Sequence, residues 1–261
     1  MTSLAFGVGM AKTGTSTLAS MFRECLRTAH EPDPSHLIGL ACDHTSGLIT
    51  GDQLQRSLQQ IFARQNLQLN VSQINGVLIE ALCDVFPESN MVLTIRDPYS
   101  WLRSLINHQI SRPTPPENPW HAFRQLRFGS PACVHTQPSE SLQKAGLYPL
   151  DAYLGYWTDH NSRILERVPP ERLFVVSNRH LKRDATHIAT FLGVGSNACL
   201  HMEDHTNRGQ YGADPLTAIS TTYLRQRVHH YRALLLARAQ TSRCCGHTDA
   251  VSDATMPADG D

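Results

Sequence analysis

The sequence predicts an α/β protein in which helices flank a parallel sheet to give three layers. Apolar runs that favour β-strands occur at 4–8, 91–95 and 173–177, and segments with helical periodicity separate them. Strands that alternate with helices are typical of a parallel sheet, whose ligands bind at the C-terminal ends of the strands. The chain of 261 residues suits one domain over 1–239, and we expect the small, polar tail over 240–261 to be disordered.

Composition excludes several classes of partner. The chain has 23 basic and 23 acidic residues, so it has no overall positive field to attract nucleic acid. Its seven cysteines are odd in number and include no C-x-x-C pair, which favours a reducing compartment over a disulfide framework. No signal-peptide pattern or membrane-length apolar run is visible. We therefore expect a cytoplasmic protein with neither a membrane nor a nucleic-acid partner.

A loop rich in glycine and hydroxyl residues follows the first apolar run. Gly9 and Gly14 permit a tight turn, and helical periodicity extends from about Thr15 to Arg27. This order directs backbone N–H groups and a positive helix end toward an anion, and Lys12 adds a full charge. In the ATP-type loop the lysine directly follows the second glycine. Here Lys12 lies two residues before Gly14, so the loop departs from the ATP-type pattern, and this departure is a clue to its ligand.

The polar segment 28–34 follows the first helix and contains the two prolines that stop it. We expect this segment to lie near the loop, at the same edge of the sheet. The residues 67–72 alternate as a second strand does, and polar side chains follow at Ser72, Gln73 and Asn75. A helix over about 76–86 comes next. The polar groups are therefore placed to face a ligand.

The strand at 91–95 runs directly into Arg96-Asp97-Pro98. Pro98 suits the first turn of a helix, and Asp97 is a candidate N-cap. Ser104 lies two turns into that helix, so Arg96 and Ser104 are placed to converge on one anion. Trp101 is expected to pack in the core rather than to contact a ligand.

The second half of the chain is less regular. Residues 112–146 lose periodicity and are rich in proline and polar residues, which predicts a lid that binds the acceptor substrate. Helices are predicted from Leu150, over 182–192 and over 216–239, the last with a solvated arginine face. A polar loop at 205–209 contains one arginine.

Three segments together resemble sulfotransferases that use 3′-phosphoadenosine-5′-phosphosulfate (PAPS). Residues 12–18 resemble the family's 5′-phosphosulfate loop, and 94–104 resemble its 3′-phosphate motif, with Ser104 eight residues after Arg96. Residues 172–194 resemble the family's late strand and helix. The resemblance implies a P-loop nucleotide-hydrolase-like sulfotransferase fold, in a bacterial or carbohydrate-type member.

The resemblance also implies roles for individual residues. Lys12 would contact the 5′-phosphate and the bridging oxygen, the loop and helix start would hold the 5′-phosphate, and Arg96 with Ser104 would bind the 3′-phosphate. Arg208 and Gly209 lie where the family brings a late basic loop over the nucleotide. The implied nucleotide contacts are Lys12, Thr13, Gly14, Thr15, Ser16, Thr17, Arg96, Ser104, Arg208 and Gly209.

The general base is assigned by the same resemblance. Small-molecule members use a histidine after the second strand, where this chain has only poor bases such as Ser72 and Gln73. Carbohydrate-type members use a glutamate just past the first helix, and Glu31 occupies that region. The order of preference is Glu31, then His30, then Asp33.

The implied reaction is transfer of a sulfuryl group to a hydroxyl or amine of a saccharide or small-molecule acceptor. No metal is expected, because neither 42–44 nor 244–247 has a second ligand pair at zinc spacing. Two other hypotheses stay open. One is an ATP-dependent P-loop kinase for a small molecule, and the other is a nucleotide-binding homologue that has lost catalysis.

Overall fold

Five short strands form one sheet in the computed structural model of the protein, which describes residues 4–130, 136–195, 214–241 and 247–256. The strands are β1 (Ala5–Gly7), β2 (Thr28–His30), β3 (Leu69–Val71), β4 (Met91–Ile95) and β5 (Leu173–Ser177). Their order is β2-β3-β1-β4-β5, and every pairing is parallel. The predicted α/β class with a parallel sheet is confirmed.

Eleven helices surround this sheet in the described part of the chain. They are α1 (Thr15–Phe22), α2 (Pro34–Thr45), α3 (Gly51–Gln65), α4 (Ile79–Val85), α5 (Pro98–Ser111), α6 (Pro119–Phe128), α7 (Glu140–Lys144), α8 (Leu150–Arg167), α9 (Ala185–Phe191), α10 (Thr221–Thr241) and α11 (Thr248–Ala254). None of the described helices is both long and apolar enough to cross a membrane.

The sheet is buried on both faces, which explains its near-continuous apolar strands. In β4, Met91, Leu93 and Ile95 join one core cluster, whereas Val92 joins a second cluster on the opposite face. The second cluster packs against α1 and α9, and the larger first cluster contains side chains of α3, α5 and α8. Two cores separated by one sheet give the three layers that the sequence predicts.

The boundaries of β4 and β5 match the prediction, but the first helix is shorter than its periodicity suggests. It ends at Phe22, and the chain soon forms β2, which pairs with β3 through Thr28, Ala29 and His30. Backbone pairing at the sheet edge therefore takes residues that the pattern assigns to the helix end and to a polar turn.

The predicted lid at 112–146 contains two helices, α6 and α7, so the assignment of this stretch as irregular is wrong. Asn118 accepts a hydrogen bond from the Trp120 N–H at 3.0 Å and caps α6, and Pro119 occupies its first position. Both are helix-start signals. They lie in a proline-rich stretch whose apolar residues are too few to show a period.

The predicted disordered tail is also partly wrong. Within 240–261, the residues that form α11 pack against β5. Val251 and Ala254 are fully buried there, and the Asp253 carboxylate contacts the His180 ring at 3.1 Å. Two small apolar side chains are enough to anchor a short helix, but they are too few to be recognised from sequence.

Candidate active site

A cleft of about 810 Å³ lies at the C-terminal ends of the strands. Segments that follow β1, β2 and β3 form one side, and helices α5 and α6 form the other. This is the edge at which parallel α/β sheets bind ligands, and the volume suits a nucleotide-sized molecule. The cleft therefore brings together parts of the loop after β1, of the segment after β2 and of the lid.

The loop after β1 depends on its two glycines. Gly14 has a φ of 99°, and a Cβ there would lie 2.6 Å from a Leu181 side-chain carbon. At Gly9 a Cβ would lie 1.9 Å from the Thr94 hydroxyl oxygen. Lys12 also adopts a left-handed backbone, with a φ of 69°. Only glycine allows the approach at Gly9, so the loop conformation is locked against β4.

The N-terminus of α1 opens into the cleft. Gly14, Thr15 and Ser16 line the cleft, and no side chain caps the helix. The first N–H groups of a helix have no acceptor within the helix, and the dipole adds partial positive charge there. This helix start is therefore suited to an anion such as a phosphate.

Two of the predicted loop contacts are not brought to the cleft. Thr13 is fully buried, its hydroxyl contacts the Met10 carbonyl at 2.7 Å and the Thr94 hydroxyl at 2.8 Å, and its N–H also donates to Met10. Thr13 therefore braces the loop instead of facing a ligand, which corrects the prediction. Thr17 is not among the residues that line the cleft.

Arg96 lies against the backbone of Lys12. The Arg96 guanidinium donates a 3.4 Å hydrogen bond to the Lys12 carbonyl, and Ser104 lines the cleft from α5. Burial lowers the pKa of Lys12, and the positive charges of Arg96 and Arg112 lower it further. The positive charges of Lys12 and Arg96 repel each other, and an anion that binds both would offset this repulsion.

Two indole N–H groups fix the backbone beside these cations. The Trp101 ring donates to the Ala11 carbonyl at 3.0 Å, and the Trp157 ring donates to the Arg96 carbonyl at 3.1 Å. Both rings are almost completely buried. The prediction that Trp101 packs in the core is confirmed, and its polar edge also orients the loop.

Glu31 projects into the cleft directly after β2. Its φ of 51° turns the chain, and its carboxylate accepts hydrogen bonds from the Ser72 hydroxyl at 2.5 Å and the Gln73 N–H at 3.1 Å. Ser72 and Gln73 are the polar residues that follow β3. Neither is a good base, and the structure shows that both hold the neighbouring carboxylate in place.

The other two candidate bases differ from Glu31. His30 contacts the Thr15 hydroxyl at 3.1 Å through Nε2. Its surface is open to the cleft, yet burial by the cleft walls lowers its pKa, and the Glu31 carboxylate opposes this shift. Asp33 is exposed, contacts His36 at 3.3 Å and does not line the cleft.

A chain of hydrogen bonds runs from Gln73 back to β1. Arg127 donates to Gln73 Oε1 at 2.7 Å and also to the Tyr156 hydroxyl. Tyr156 contacts Nδ1 of His160 at 3.2 Å, and Nε2 of His160 contacts the Val8 carbonyl at 2.9 Å. Burial lowers the pKa of His160 to about 3, so the ring is neutral, donates to Val8 and accepts from Tyr156.

The cleft also contains cations that sequence reasoning missed. Arg112, Arg124 and Arg127 line it together with His108, whose pKa is lowered to about 4 by burial and by the positive charges around it. The spacing of Arg124 and Arg127 by three residues places them on one face of α6. That signal is readable only after 119–128 is known to be a helix.

Two of the predicted nucleotide contacts, Arg208 and Gly209, lie outside the described residues. Among the described residues, no group of three or more histidine, cysteine, aspartate or glutamate side chains is arranged to hold a metal ion.

Comparisons with known proteins give the family. A family model described as the sulfotransferase domain matches residues 5–196, which include the loop, Glu31 and Arg96. The fold is similar to that of a sulfotransferase from Alicyclobacillus acidocaldarius, with a TM-score of 0.53 and 15% identity over 92% of this chain and 95% of that one. No curated protein sequence matches the chain. The match to the family model covers most of the sequence, and the chain belongs to the sulfotransferase family.

Proposed function

We propose that the protein transfers a sulfuryl group from PAPS to a hydroxyl or amine of a saccharide or small-molecule acceptor. One observation carries the proposal. Lys12 lies two residues before Gly14, which directly precedes the uncapped start of α1, and the Arg96 guanidinium contacts its carbonyl. This arrangement supplies one site for a phosphate in the loop and a second cation beside it, as a nucleotide with two separate phosphates requires.

The described residues fit such a donor. The helix start at Gly14, Thr15 and Ser16 would hold the 5′-phosphate. The 3′-phosphate would be held by Ser104, which lines the cleft, and by Arg96, which contacts the Lys12 carbonyl but is not among the residues that line the cleft. Burial lowers the pKa of Lys12 and the neighbouring positive charges lower it further, and a bound anion would offset both effects. PAPS would supply an activated sulfuryl group and a phosphate leaving group.

The residues of the chain suggest how transfer proceeds. The acceptor oxygen bonds to sulfur and its proton passes to the Glu31 carboxylate, while the bond between sulfur and the bridging phosphate oxygen breaks. Lys12 stabilises the negative charge that develops on that oxygen. Such a loose, in-line transfer depends on positioning and electrostatic stabilisation more than on covalent help. Ser72 and Gln73 hold Glu31 in the orientation to accept the proton.

Binding of two nucleotides that differ only in the 3′-phosphate tests the donor. We expect 3′-phosphoadenosine 5′-phosphate (PAP) to bind much more tightly than adenosine 5′-phosphate in calorimetric titrations. Arg96→Ala should reduce this ratio by about ten- to a hundredfold, because it removes a charge-assisted contact. Arg56→Ala, at an exposed position on α3, is the matched control. An unchanged ratio in Arg96→Ala would refute the donor assignment.

Transfer itself needs a second assay. Labelled PAPS is incubated with a panel of saccharides and phenols, with and without a magnesium chelator. Sulfated product in the presence of chelator supports the proposal. Turnover of ATP that requires magnesium, with indifference to PAPS, would indicate a kinase instead. Tight PAP binding without transfer to any acceptor would indicate a homologue that has lost catalysis.

A further inference from the structure

The order of the strands separates two sides of the cleft. The Lys12 loop follows the central β1, Arg96 follows β4 on one side, and Glu31 follows the edge strand β2 on the other side. The proposed 3′-phosphate contact and the proposed base therefore lie on opposite sides of the loop. An acceptor whose hydroxyl reaches Glu31 approaches from the side of β2 and β3.

Helix α6 covers that side. It packs against α2, the helix that directly follows the Glu31 turn. Arg127 of α6 donates to the side chain of Gln73, whose backbone N–H donates to Glu31. One helical turn earlier, Arg124 lines the cleft, and its guanidinium donates to the Arg112 carbonyl at 3.2 Å. Arg127 is therefore linked to the proposed base through Gln73, and Arg124 lines the same cleft.

No carboxylate lies within ion-pairing distance of Arg112, Arg124 or Arg127 among the residues that the structure describes. Glu31 is the one acidic residue among the described residues that line the cleft, and its two oxygens already accept hydrogen bonds. Arg127 instead lies over the Phe123 and Phe128 rings, at 4.3 and 4.9 Å. Among the described residues, no ion pair neutralises the positive charge of this region, and Glu31 is the acidic residue that acts on Arg127.

The effect of this charge is visible at His108, which also faces the cleft. Its pKa falls to about 4 because of burial and of the charges on Lys12, Arg112, Arg124 and Arg127. The ring stays neutral near pH 7 and adds no further charge. Because the chain has equal numbers of acidic and basic residues, the positive potential is a local feature of the cleft.

We propose that the acceptor carries a negatively charged group, such as a carboxylate, phosphate or sulfate, which binds Arg112 and Arg124 while its hydroxyl faces Glu31. This inference rests on the proposed function and narrows its acceptor class. A guanidinium binds such groups through two parallel hydrogen bonds, which fixes orientation as well as affinity. Arg127 is already committed to Gln73 and Tyr156, so it contributes charge and holds Gln73.

The test uses pairs of acceptors that differ in one charge. Glucuronate is compared with glucose, and 4-hydroxyphenylacetate is compared with 4-hydroxyphenylacetamide. Each is titrated calorimetrically into the full chain saturated with PAP, and each is assayed for sulfate transfer from labelled PAPS. The variants are Arg124→Gln, Arg112→Gln and the double substitution. Arg56→Gln, exposed on α3, is the matched control, and thermal unfolding checks that each variant folds.

We expect the anionic member of a pair to bind or react better by about tenfold or more, because a charge-assisted hydrogen bond contributes that much. The double variant should lose this preference and keep its affinity for PAP, and Arg56→Gln should keep both.

Three results would overturn the inference. They are equal binding and reaction of both members in the unsubstituted chain, no binding or reaction of any member, and a preference that survives the double substitution. A fall in PAP affinity in the double variant would assign these arginines to the donor instead. Failure of PAP to bind the unsubstituted chain would overturn the proposed function first, so the two failures are distinguishable.

Discussion

The two sides of the cleft are built in different ways. The side that we assign to the donor consists of a backbone loop wedged between β1 and β4, where Gly9 has no room for a side chain. The side that we assign to the acceptor is lined by long side chains from α6, which are held by hydrogen bonds and aromatic contacts and supported by side chains of α8. Backbone geometry is specified by a few adjacent residues, whereas a side-chain network is specified only by the assembled fold.

His160 joins the two sides. Its ring donates to the carbonyl of Val8, directly after β1, and accepts from Tyr156, which in turn accepts from Arg127. A Cβ at Gly76 would lie 2.1 Å from this ring, so the space around it is closed. The position of the proposed base therefore depends on the strand that carries the donor loop, and substitutions can show how strongly.

The largest expected effect is at Lys12. Lys12→Ala should lower kcat by about 10³-fold, because it removes the charge that stabilises the leaving oxygen in a preorganised site. Fold and thermal stability should change little. Lys144→Ala is the control, since that side chain is 80% exposed on α7. A loss of less than about tenfold in sulfate transfer would show that Lys12 is not the stabilising group.

The next largest effect is on the acceptor side. Glu31→Gln keeps the shape of the side chain but cannot take a proton, so transfer should slow by about 10²-fold while PAP affinity stays the same. Glu88→Gln, exposed and remote from the cleft, should have no effect. If His30→Asn lowers kcat more than Glu31→Gln does, the base is His30.

The difference between the two sides explains what the sequence predicts. The loop, the strand before Arg96 and the cap at Asp97 are local patterns, and each is confirmed as local structure, including a 2.9 Å bond from the Ser100 N–H to Asp97. The parallel sheet follows from strands that alternate with helices. The choice of Glu31 as the base came from the family resemblance and stays a prediction, and the structure places it after β2, two places from β1 in the sheet.

The sequence does not predict the network on the other side. Gln73 and Arg127 are 54 residues apart, and His160 and Val8 are 152 apart, so no local pattern links them. The role of Ser72 was missed because a serine after a strand has no preferred partner in sequence. Thr13 was assigned to the ligand because a hydroxyl in a glycine loop looks the same whether it faces the cleft or braces β4.

Acid should destabilise the folded protein through His160. His160 has a folded pKa of about 3, whereas an unfolded histidine titrates near about 6.5. Between these values the unfolded chain binds the extra proton, so the free energy of unfolding falls as pH falls. Between about pH 7.5 and about pH 4.5, the unsubstituted chain should lose about 3 kcal/mol more than His160→Gln does. Urea unfolding at both pH values measures this, and equal losses would contradict it.

The smallest effect is expected from removing one hydroxyl of the network. Tyr156→Phe leaves Nδ1 of His160 without its donor and removes one acceptor of Arg127, which should destabilise the chain by about 1 kcal/mol. Arg127 then holds the Gln73 side chain less firmly, and the Glu31 carboxylate adopts a wider range of orientations. We expect kcat/KM for the acceptor to fall about threefold to fivefold with PAP affinity unchanged, as loss of positioning predicts. Tyr223→Phe on α10 is the control, because its hydroxyl makes an exposed contact with Thr136 and does not line the cleft. Equal losses of acceptor and PAP affinity would show that the network supports the whole cleft and that its two sides are not separable.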